Sequence, residues 1–560
     1  MPGTVIDADE VGTQPQASGR VAAAPAPVGD SLYPAPPRPR LHAWPRVAFW
    51  GLALLALAWA FISLWWPVGF DLGLYAWVSG VIRDGGLQYR DAWDMHGPLV
   101  GYLVGIPGLI VGQQPAGIRV LDLAFLAAGC WGLSHTVAPI AGRDAGRWGS
   151  VLLVLVYGSF TFNETAQPDG WVALASLAAF APVLASAAQA RRPGIAALVV
   201  AGVASGCFAL IKPFYGLFVL VPLVAAWAVS ARAAHADRSR SAIMGLIVPT
   251  LILAATSMAV VAAAAAWFAA HGALDTLVEV HLNYTSRVYG GTRSLAIGQR
   301  VTAIVEFFRE GKVIAVAVPL MLVGGAALRR DARRSLLAAS LVWIAVGVFC
   351  AALQNKYYYY HWVPTYPPLV VLATIGAALL LREPRRSLSR VVAIAAVGVV
   401  AAHAALRPAA YVSHWVLYAT GIQSETQYYT RFEAPPVYPV HQRQAARYLA
   451  TETAPSEGFA VWGYDAGLLY LSDRPTPFRL AGWFWPMVTG TPEIQAEYRA
   501  EYLAGLARTR PRFMVVNSEL DNVTSRATME NFPELRDLLA REFVRDTAFG
   551  PLVVMRRHTP

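Results

Sequence analysis

The chain has 560 residues, of which 56% are hydrophobic and 14% charged, and its mean hydropathy is +0.44. These values exclude a soluble enzyme with one globular core and indicate an integral membrane protein. The net charge of +10 is compatible with nucleic-acid binding, but most cations are arginines in short segments between apolar runs, which is typical of topology signals. We therefore expect no nucleic-acid partner.

The amino-terminal residues 1–45 are rich in Pro, Ala and Gly and predict a disordered cytoplasmic tail. The long apolar run that follows predicts a membrane span rather than a cleavable signal peptide. A span needs about 20 residues at about 1.5 Å each. About eleven spans, within a range of ten to thirteen, are predicted: 47–66, 117–139, 148–163, 168–190, 193–213, 214–231, 244–272, 313–328, 335–353, 360–381 and 390–408.

There is a further apolar run at 97–112. Whether it crosses the membrane decides the orientation of every later segment. Arginine clusters between later runs predict cytoplasmic loops by the positive-inside rule, and the arginines of the tail place the amino terminus there too. All these loops lie inside only if 97–112 does not cross. The run is short and contains Gly105, Pro107 and Gly108, which weaken a helix interior, so we expect a re-entrant or interfacial placement.

This topology places four segments on the outer face: 67–116, 163–169, 273–312 and 354–360. From residue 409 the charges rise and strand-like pieces alternate with helix-like stretches. The predicted fold class is therefore a mostly α, polytopic membrane protein with interfacial helices. The transmembrane part covers 46–408, and a soluble α/β domain covers 409–560 on the outer face.

The first outer segment concentrates ionisable and aromatic side chains at a membrane boundary. Asp71, Asp94 and His96 lie there, with Tyr75 among several aromatics. Desolvating charged groups is costly unless something binds them. Acids with aromatic rings suit a sugar, whose hydroxyls need acceptors and whose apolar faces stack on rings. The alternative is solvated loop charge beside an ordinary interfacial aromatic belt.

Lysine occurs only at Lys212, Lys312 and Lys356, and each lies at the outer end of a predicted span. A cation in this place runs against the positive-inside preference and suits an anionic lipid headgroup. Snorkelling at the interface is the alternative.

Two further residues are candidates for substrate contact. Asp169 follows Pro168 at the outer start of a span, where an acid also complements the helix dipole. Arg287 follows His281 and Tyr284 at i+6 and i+3 spacing, which predicts one helical face and allows phosphate contact. An amphipathic helix on the membrane is the alternative for that stretch.

The sequence lacks the common motifs of nucleotide-driven, metalloprotease, disulfide and zinc chemistry. No Walker loop, dinucleotide fingerprint or H-E-x-x-H motif occurs, which argues against a nucleotide-driven pump and a metalloprotease. Cys130, Cys207 and Cys350 lie inside apolar runs and match neither a disulfide framework nor a zinc site. We expect the energy of any reaction to arrive with the substrate.

Several stretches together resemble a known family, the GT-C membrane glycosyltransferases. The resemblance covers roughly 47–408 and is strongest to the bacterial branch related to protein O-mannosyltransferases and the lipid A aminoarabinose transferase. The stretches that carry it are F-D-L-G-L-Y-A-W at 70–77, G-G-L-Q-Y-R-D-A-W-D-M-H-G-P-L at 85–99, P-D-G at 168–170, A-L-I-K-P-F-Y-G at 209–216 and Y-Y-H-W-V-P-T-Y-P-P-L at 359–369.

The resemblance implies an enzyme of the bacterial inner membrane with a cytoplasmic amino terminus and a periplasmic carboxy-terminal domain. Such an enzyme transfers a hexosyl or pentosyl unit from a polyprenyl-phosphate sugar to an envelope acceptor (lipid, glycan or protein), with inversion and among membrane lipids. Asp71 matches the family's general base. No cofactor is implied with certainty, and a divalent cation stays open. The expected substrate-binding residues are Tyr75, Asp94, His96, Asp169, Lys212, Arg287, Lys356 and His361.

The sequence departs from the family pattern at two places. Leu72 stands where a second acid often follows the loop aspartate, and His96-Gly97-Pro98 stands where Lys-Pro-Pro is frequent. Two other functions therefore stay open: a transporter or flippase of lipid-linked sugars, and a non-catalytic envelope scaffold. The transporter is disfavoured because ionisable residues cluster at the outer ends of the spans rather than near the midplane.

Overall fold

The computed structural model describes residues 43–558 except 113, 237–239, 292–295, 311, 330–332, 355, 385–386, 436 and 519–531. The expected tail at 1–45 lies outside these residues apart from its last three positions. The fold is predominantly helical, with a four-stranded sheet near the carboxyl end.

Helices α1 to α16 make up most of the chain before residue 420. They are α1 (Ala43–Ser63), α2 (Phe70–Arg83), α3 (Pro98–Val111), α4 (Pro115–Ala141), α5 (Arg143–Gly158), α6 (Pro168–Ala188), α7 (Ile195–Ile211), α8 (Leu220–Ala236), α9 (Arg240–Ala270), α10 (Leu274–Val278), α11 (Thr285–Gly291), α12 (Ile297–Glu310), α13 (Lys312–Leu328), α14 (Arg334–Leu353), α15 (Tyr366–Leu380) and α16 (Leu388–Ala419). Segments Pro213–Val219 and Tyr359–Thr365 are 3-10 helices, and Glu279–Tyr284 is a π-helix.

Many of these helices are suited to a membrane. Within the described residues, eight helical segments are long and apolar enough to cross one: Arg46–Ser63, Pro115–Ala141, Pro168–Ala188, Pro213–Arg232, Ile243–Ala270, Arg334–Leu353, Tyr359–Leu380 and Leu388–Ala419. Shorter apolar helices occupy Pro98–Ile110, Ile195–Ile211 and Ala317–Leu328. The predicted polytopic membrane fold is confirmed, whereas the number of eleven spans stays a prediction.

The run expected not to cross, 97–112, forms α3. This helix has 14 residues and contains Pro107. At about 1.5 Å per residue it is roughly 21 Å long, which is shorter than the hydrocarbon core of about 30 Å. Its last turn exposes Leu109 (78%) and Ile110 (84%). A short helix with an exposed apolar end is consistent with an interfacial placement, and that placement stays a prediction.

Small residues let neighbouring helices of the bundle approach closely. A Cβ on Gly132 of α4 would lie 2.1 Å from the carbonyl oxygen of Leu177 in α6. A Cβ on Gly376 of α15 would lie 1.9 Å from the carbonyl oxygen of Leu320 in α13. Only glycine fits at such crossings, which is a common way to pack membrane helices.

The carboxy-terminal part is α/β, as the sequence predicted. Its elements are α17 (Glu425–Tyr429), the 3-10 helix Thr430–Phe432, α18 (Pro439–Glu452), β1 (Ala460–Trp462), α19 (Gly467–Leu471), the 3-10 helix Trp485–Met487, α20 (Pro492–Thr509), β2 (Phe513–Asn517), α21 (Pro533–Glu542), β3 (Phe543–Phe549) and β4 (Leu552–Arg557). The sheet has the order β1-β2-β4-β3, with β1 and β2 parallel and the other pairs antiparallel.

This α/β part shares a hydrophobic core with the first outer segment. Ala48–Pro560 forms one compact unit, and one apolar cluster contains Trp77 and Trp93 together with residues of the sheet. A Cβ on Gly482 would lie 2.7 Å from the ring of Trp77. The domain boundary at 409 stays a prediction, and α16 continues past it to Ala419.

Candidate active site

Two acids occupy equivalent places at the starts of two helices. Asp71 is the second residue of α2, after the extended Gly69, and Asp169 is the second residue of α6, after Pro168. The first turn of a helix presents free N–H groups and the positive end of the helix dipole, so an ionised carboxylate is favoured there. Local sequence thus places both acids where anions are stabilised.

The Asp71 carboxylate is partly exposed and accepts a hydrogen bond from the Tyr360 hydroxyl, with 3.2 Å between the oxygens. Burial raises the pKa of Asp71 above its usual value. The charges of His96 and Lys212 and the Tyr360 hydrogen bond oppose this shift without cancelling it. A carboxylate with a raised pKa is a stronger base, and this one lies within electrostatic reach of the Lys212 ammonium and the His96 imidazole.

Asp169 is fully buried in an ion pair with Lys212, the residue that directly follows α7. The Lys212 Nζ lies 2.8 and 3.0 Å from the two carboxylate oxygens and 2.7 Å from Oε1 of Gln354. The Tyr215 hydroxyl also donates to Asp169. An ammonium group has three N–H donors, and these three contacts account for all of them. A further acceptor binds Lys212 only by replacing one of these three.

Asp94 and His96 form a second polar cluster. The His96 Nδ1 lies 2.7 Å from Asp94 Oδ1, and the backbone N–H of His96 donates to the same oxygen over 3.0 Å. Gln88 Nε2 donates to Asp94 Oδ2 over 3.1 Å. The Tyr75 ring meets the His96 ring edge-on, with 4.8 Å between centroids. Because an ionised carboxylate only accepts, Asp94 fixes Nδ1 as a donor and leaves Nε2 for a ligand.

Gly97 departs from the Lys-Pro-Pro that is frequent in the family pattern, and its packing gives a structural reason for glycine at this position. Its N–H donates to the carbonyl of Ile211 over 3.0 Å, and a Cβ there would lie 2.0 Å from the carbonyl oxygen of Leu210. The segment after His96 therefore packs directly on the end of α7, next to Lys212. A larger residue does not fit at this contact.

Lys356 and His361 come from the segment between α14 and α15. The Lys356 Nζ lies 4.9 Å from the ring centroid of Trp485, in the α/β part, and burial lowers the pKa of Lys356 to about 8. His361 is 5% exposed, its ring contacts those of Tyr358 and Tyr360, and its Nδ1 has no hydrogen-bond partner among the described residues. Both side chains interact electrostatically with Lys212.

Arg287 does not join this cluster in the structure. Its side chain is exposed on α11, whereas Tyr284 is buried and its ring meets that of Trp93 at 4.9 Å. His281 lies 2.8 Å from the Tyr89 hydroxyl. His281 and Tyr284 lie in the π-helix, whose side chains have a different angular spacing from those of an α-helix. The three residues predicted to share one face differ in exposure. The Lys312 side chain lies outside the described residues.

The other predicted residues converge from five separate segments of the chain. Sequence reasoning missed several of the polar groups that hold them. Tyr360 stands in a run of four tyrosines that offers no sign of which one reaches Asp71. The roles of the predicted residues stay predictions. The site residues brought together are Asp71, Tyr75, Asp94, His96, Asp169, Lys212, Lys356 and His361, and the missed partners are Tyr215, Gln354, Gln88 and Tyr360.

No metal site is evident in the described part of the chain, where no three His, Cys, Asp or Glu side chains are grouped to hold an ion. The side chains around Asp71 instead include ammonium and imidazole groups. The ammonium groups suit an anion.

Comparison with solved structures identifies the fold. ArnT from Cupriavidus metallidurans bound to undecaprenyl phosphate matches with a TM-score of 0.57 and 15% identity, over 92% of this chain and 98% of that chain. The apo state of that protein matches with a TM-score of 0.55 and 14% identity, over 91% of this chain and 97% of that chain. The archaeal oligosaccharyltransferase AglB from Archaeoglobus fulgidus matches with a TM-score of 0.48 and 12% identity, over 92% of this chain and 75% of that chain. No protein-family model matches the sequence, and no curated protein matches it significantly. The GT-C fold that the motifs predicted is confirmed.

Proposed function

We propose that the protein is a glycosyltransferase of the bacterial inner membrane that uses a polyprenyl-phosphate sugar as donor. It transfers a hexosyl or pentosyl unit to an envelope acceptor at the outer face, with inversion. The acceptor is a lipid, a glycan or a protein. The amino terminus is cytoplasmic and the α/β domain is periplasmic.

One arrangement carries this proposal: Asp71, a partly exposed carboxylate at the start of α2, accepts a hydrogen bond from Tyr360 and lies within electrostatic reach of Lys212 and His96. Inverting transfer needs these two functions side by side. A base must accept the proton of the acceptor hydroxyl, and cations must stabilise the charge that develops on the leaving phosphate.

In the proposed step, Asp71 accepts the proton of the acceptor hydroxyl as its oxygen attacks the anomeric carbon of the donor. The new bond joins the acceptor oxygen to that carbon. The bond from the same carbon to the phosphate oxygen breaks, and its electron pair leaves with the polyprenyl phosphate. Attack opposite the leaving group inverts the anomeric configuration. The Tyr360 hydroxyl, 3.2 Å from Asp71 Oδ2, orients the base.

The leaving phosphate is bound in this proposal by Lys212, Lys356, His96 and His361. Lys212 exchanges its contact with Gln354 for a phosphate oxygen while Asp169 keeps it in place. His96 donates from Nε2 when it is protonated, since Asp94 occupies Nδ1. These groups replace the lysine of the family pattern that is absent at His96.

The fold supports a lipid-linked donor. The matching ArnT structure holds undecaprenyl phosphate, and this chain covers 98% of that protein. The identity of 15% leaves the sugar and the acceptor to be found by experiment. Mass spectrometry of envelope lipids and glycans from cells lacking the protein would identify the missing sugar.

The direct test uses full-length protein in proteoliposomes and a panel of synthetic polyprenyl-phosphate hexoses and pentoses. Asp71→Asn should bind donor normally and lower kcat by about 10²- to 10⁴-fold, the usual contribution of a general base. Asp84→Asn is the matched control, because Asp84 ends the same helix and pairs with Arg83. Full transfer by Asp71→Asn would exclude the assigned role. Movement of labelled donor across the bilayer without any transfer would instead indicate a flippase.

A further inference from the structure

A buried arginine in α4 has no part in the proposed chemistry. Arg119 is 2% exposed and lies in the second turn of a candidate membrane span. A guanidinium group in such a place is costly to desolvate and persists only when its donors are satisfied. Its guanidinium also lies over the ring of Trp66, with 5.3 Å to the centroid.

The donors of Arg119 reach two separate segments of the chain. Nη2 donates to the carbonyl of Phe162 over 3.1 Å and to the carbonyl of Pro67 over 3.3 Å. Nη1 donates to the hydroxyl of Thr165 over 2.9 Å. One side chain therefore joins the segment before α2 to the segment before α6.

Each of these segments leads directly into one of the two acids. Pro67 precedes Asp71 by four residues, and Thr165 precedes Asp169 by four residues. The segments also meet at a second place, where the backbone N–H of Phe70 donates to Asn163 Oδ1 over 3.4 Å. The spacing between the two acids thus depends on the contacts between these segments.

Asp122, one turn after Arg119 in α4, takes part in hydrogen bonds around the start of α6, where the segment before α6 ends. Its Oδ1 accepts from the Tyr157 hydroxyl over 2.6 Å and from Trp171 Nε1 over 3.0 Å. The Tyr157 hydroxyl accepts in turn from the backbone N–H of Ala166 over 3.0 Å. The start of α6 is therefore anchored to α4 on both sides.

We infer that Arg119 is a positioning residue that sets the distance between Asp71 and the Asp169–Lys212 ion pair. The inference rests on the proposed function, in which Asp71 holds the acceptor hydroxyl and Lys212 the donor phosphate. Arginine suits this role because its planar guanidinium carries several donors in fixed directions. A lysine ammonium keeps the charge but does not span the same three acceptors.

The first test does not depend on activity. Hydrogen exchange of the full-length protein in nanodiscs is followed by mass spectrometry for Arg119→Met, Arg119→Lys and a matched control, Arg382→Met. Arg382 also donates to a carbonyl, that of Ala141 over 2.6 Å, which lies at the opposite end of α4 from Arg119. Both Arg119 variants should exchange faster at 64–72 and at 160–172 together, and the control should not. Faster exchange in only one segment, or in neither, would overturn the link.

The second test measures transfer per folded molecule on monodisperse protein. Misplacement by about 1 Å can lower a rate by about 10²-fold, so kcat should fall by this order in both Arg119 variants while the donor KM changes little. Unchanged kcat with a lower yield of folded protein would show a purely structural role and overturn the inference. If wild-type protein transfers no sugar, the proposed function fails, and the exchange comparison still decides whether Arg119 links the segments.

Discussion

The ion pair between Asp169 and Lys212 offers a sharp test of the site. Asp169→Asn keeps the shape of the side chain and one acceptor oxygen but removes the negative charge. The Lys212 ammonium then stays buried without its counter-charge. The side chains of the pair are 0% and 15% exposed, respectively, so water reaches them poorly.

The size of the effect follows from this burial. Removing one partner of a buried ion pair costs about 3–5 kcal/mol of unfolding free energy. Because Lys212 keeps some exposure and the Gln354 contact, we expect a value near the lower end, about 3 kcal/mol. Removing both charges in Asp169→Asn/Lys212→Met should cost at least about 1 kcal/mol less than the sum of the single changes.

The assay is reversible unfolding in mixed micelles, followed by tryptophan fluorescence for the two single variants and the double variant. The control cycle is Glu425→Gln with Arg443→Met, a pair with 38% and 30% exposure. Exposed pairs couple by about 0–1 kcal/mol. If the losses of unfolding free energy in the two single variants add up to the loss in the double variant within about 0.5 kcal/mol, the reasoning is refuted, because independent sites behave in this way.

Two further predictions concern the cations and the packing of the site. Burial lowers the pKa of Lys356 to about 8, so kcat/KM should fall as the pH rises through about 8 and the ammonium loses its proton. Lys356→Arg should move this fall in the pH profile to higher pH. A fall that stays at the same pH would contradict a role for the Lys356 charge. Gly97→Ala should lower the unfolding free energy by at least about 1–3 kcal/mol, because its Cβ would overlap the Leu210 carbonyl. Gly108→Ala, where nothing lies within 4 Å, should be nearly neutral in the same unfolding assay, and equal costs for both variants would exclude the packing argument.

Local sequence was sufficient for the membrane class, for most of the apolar helices and for the start of α6. Transfer into lipid adds up residue by residue along a segment, so hydropathy identifies apolar helices without knowledge of the fold. Pro168 before Asp169 signals a helix start by the same kind of local rule. The motifs also predicted the GT-C fold that the structure confirms.

Local periodicity was insufficient where the backbone left the ordinary α-helix. His281, Tyr284 and Arg287 were expected on one face of an α-helix, but His281 and Tyr284 lie in the π-helix Glu279–Tyr284, and Tyr284 is buried whereas Arg287 is exposed. The i→i+5 hydrogen bonds of a π-helix change the angular spacing of its side chains from that of an α-helix. Sequence patterns contain no reliable sign of such an insertion.

Tertiary structure alone decided which side chains meet. Tyr360 reaches Asp71 from 289 positions away, Lys212 reaches Asp169 from 43, and Arg119 joins segments on either side of its own helix. Such pairings depend on how helices cross, and crossings are set by packing between distant residues such as Gly132 and Leu177. The sequence by itself therefore determined the kinds of groups available at the outer face, whereas helix packing decided their partners and distances.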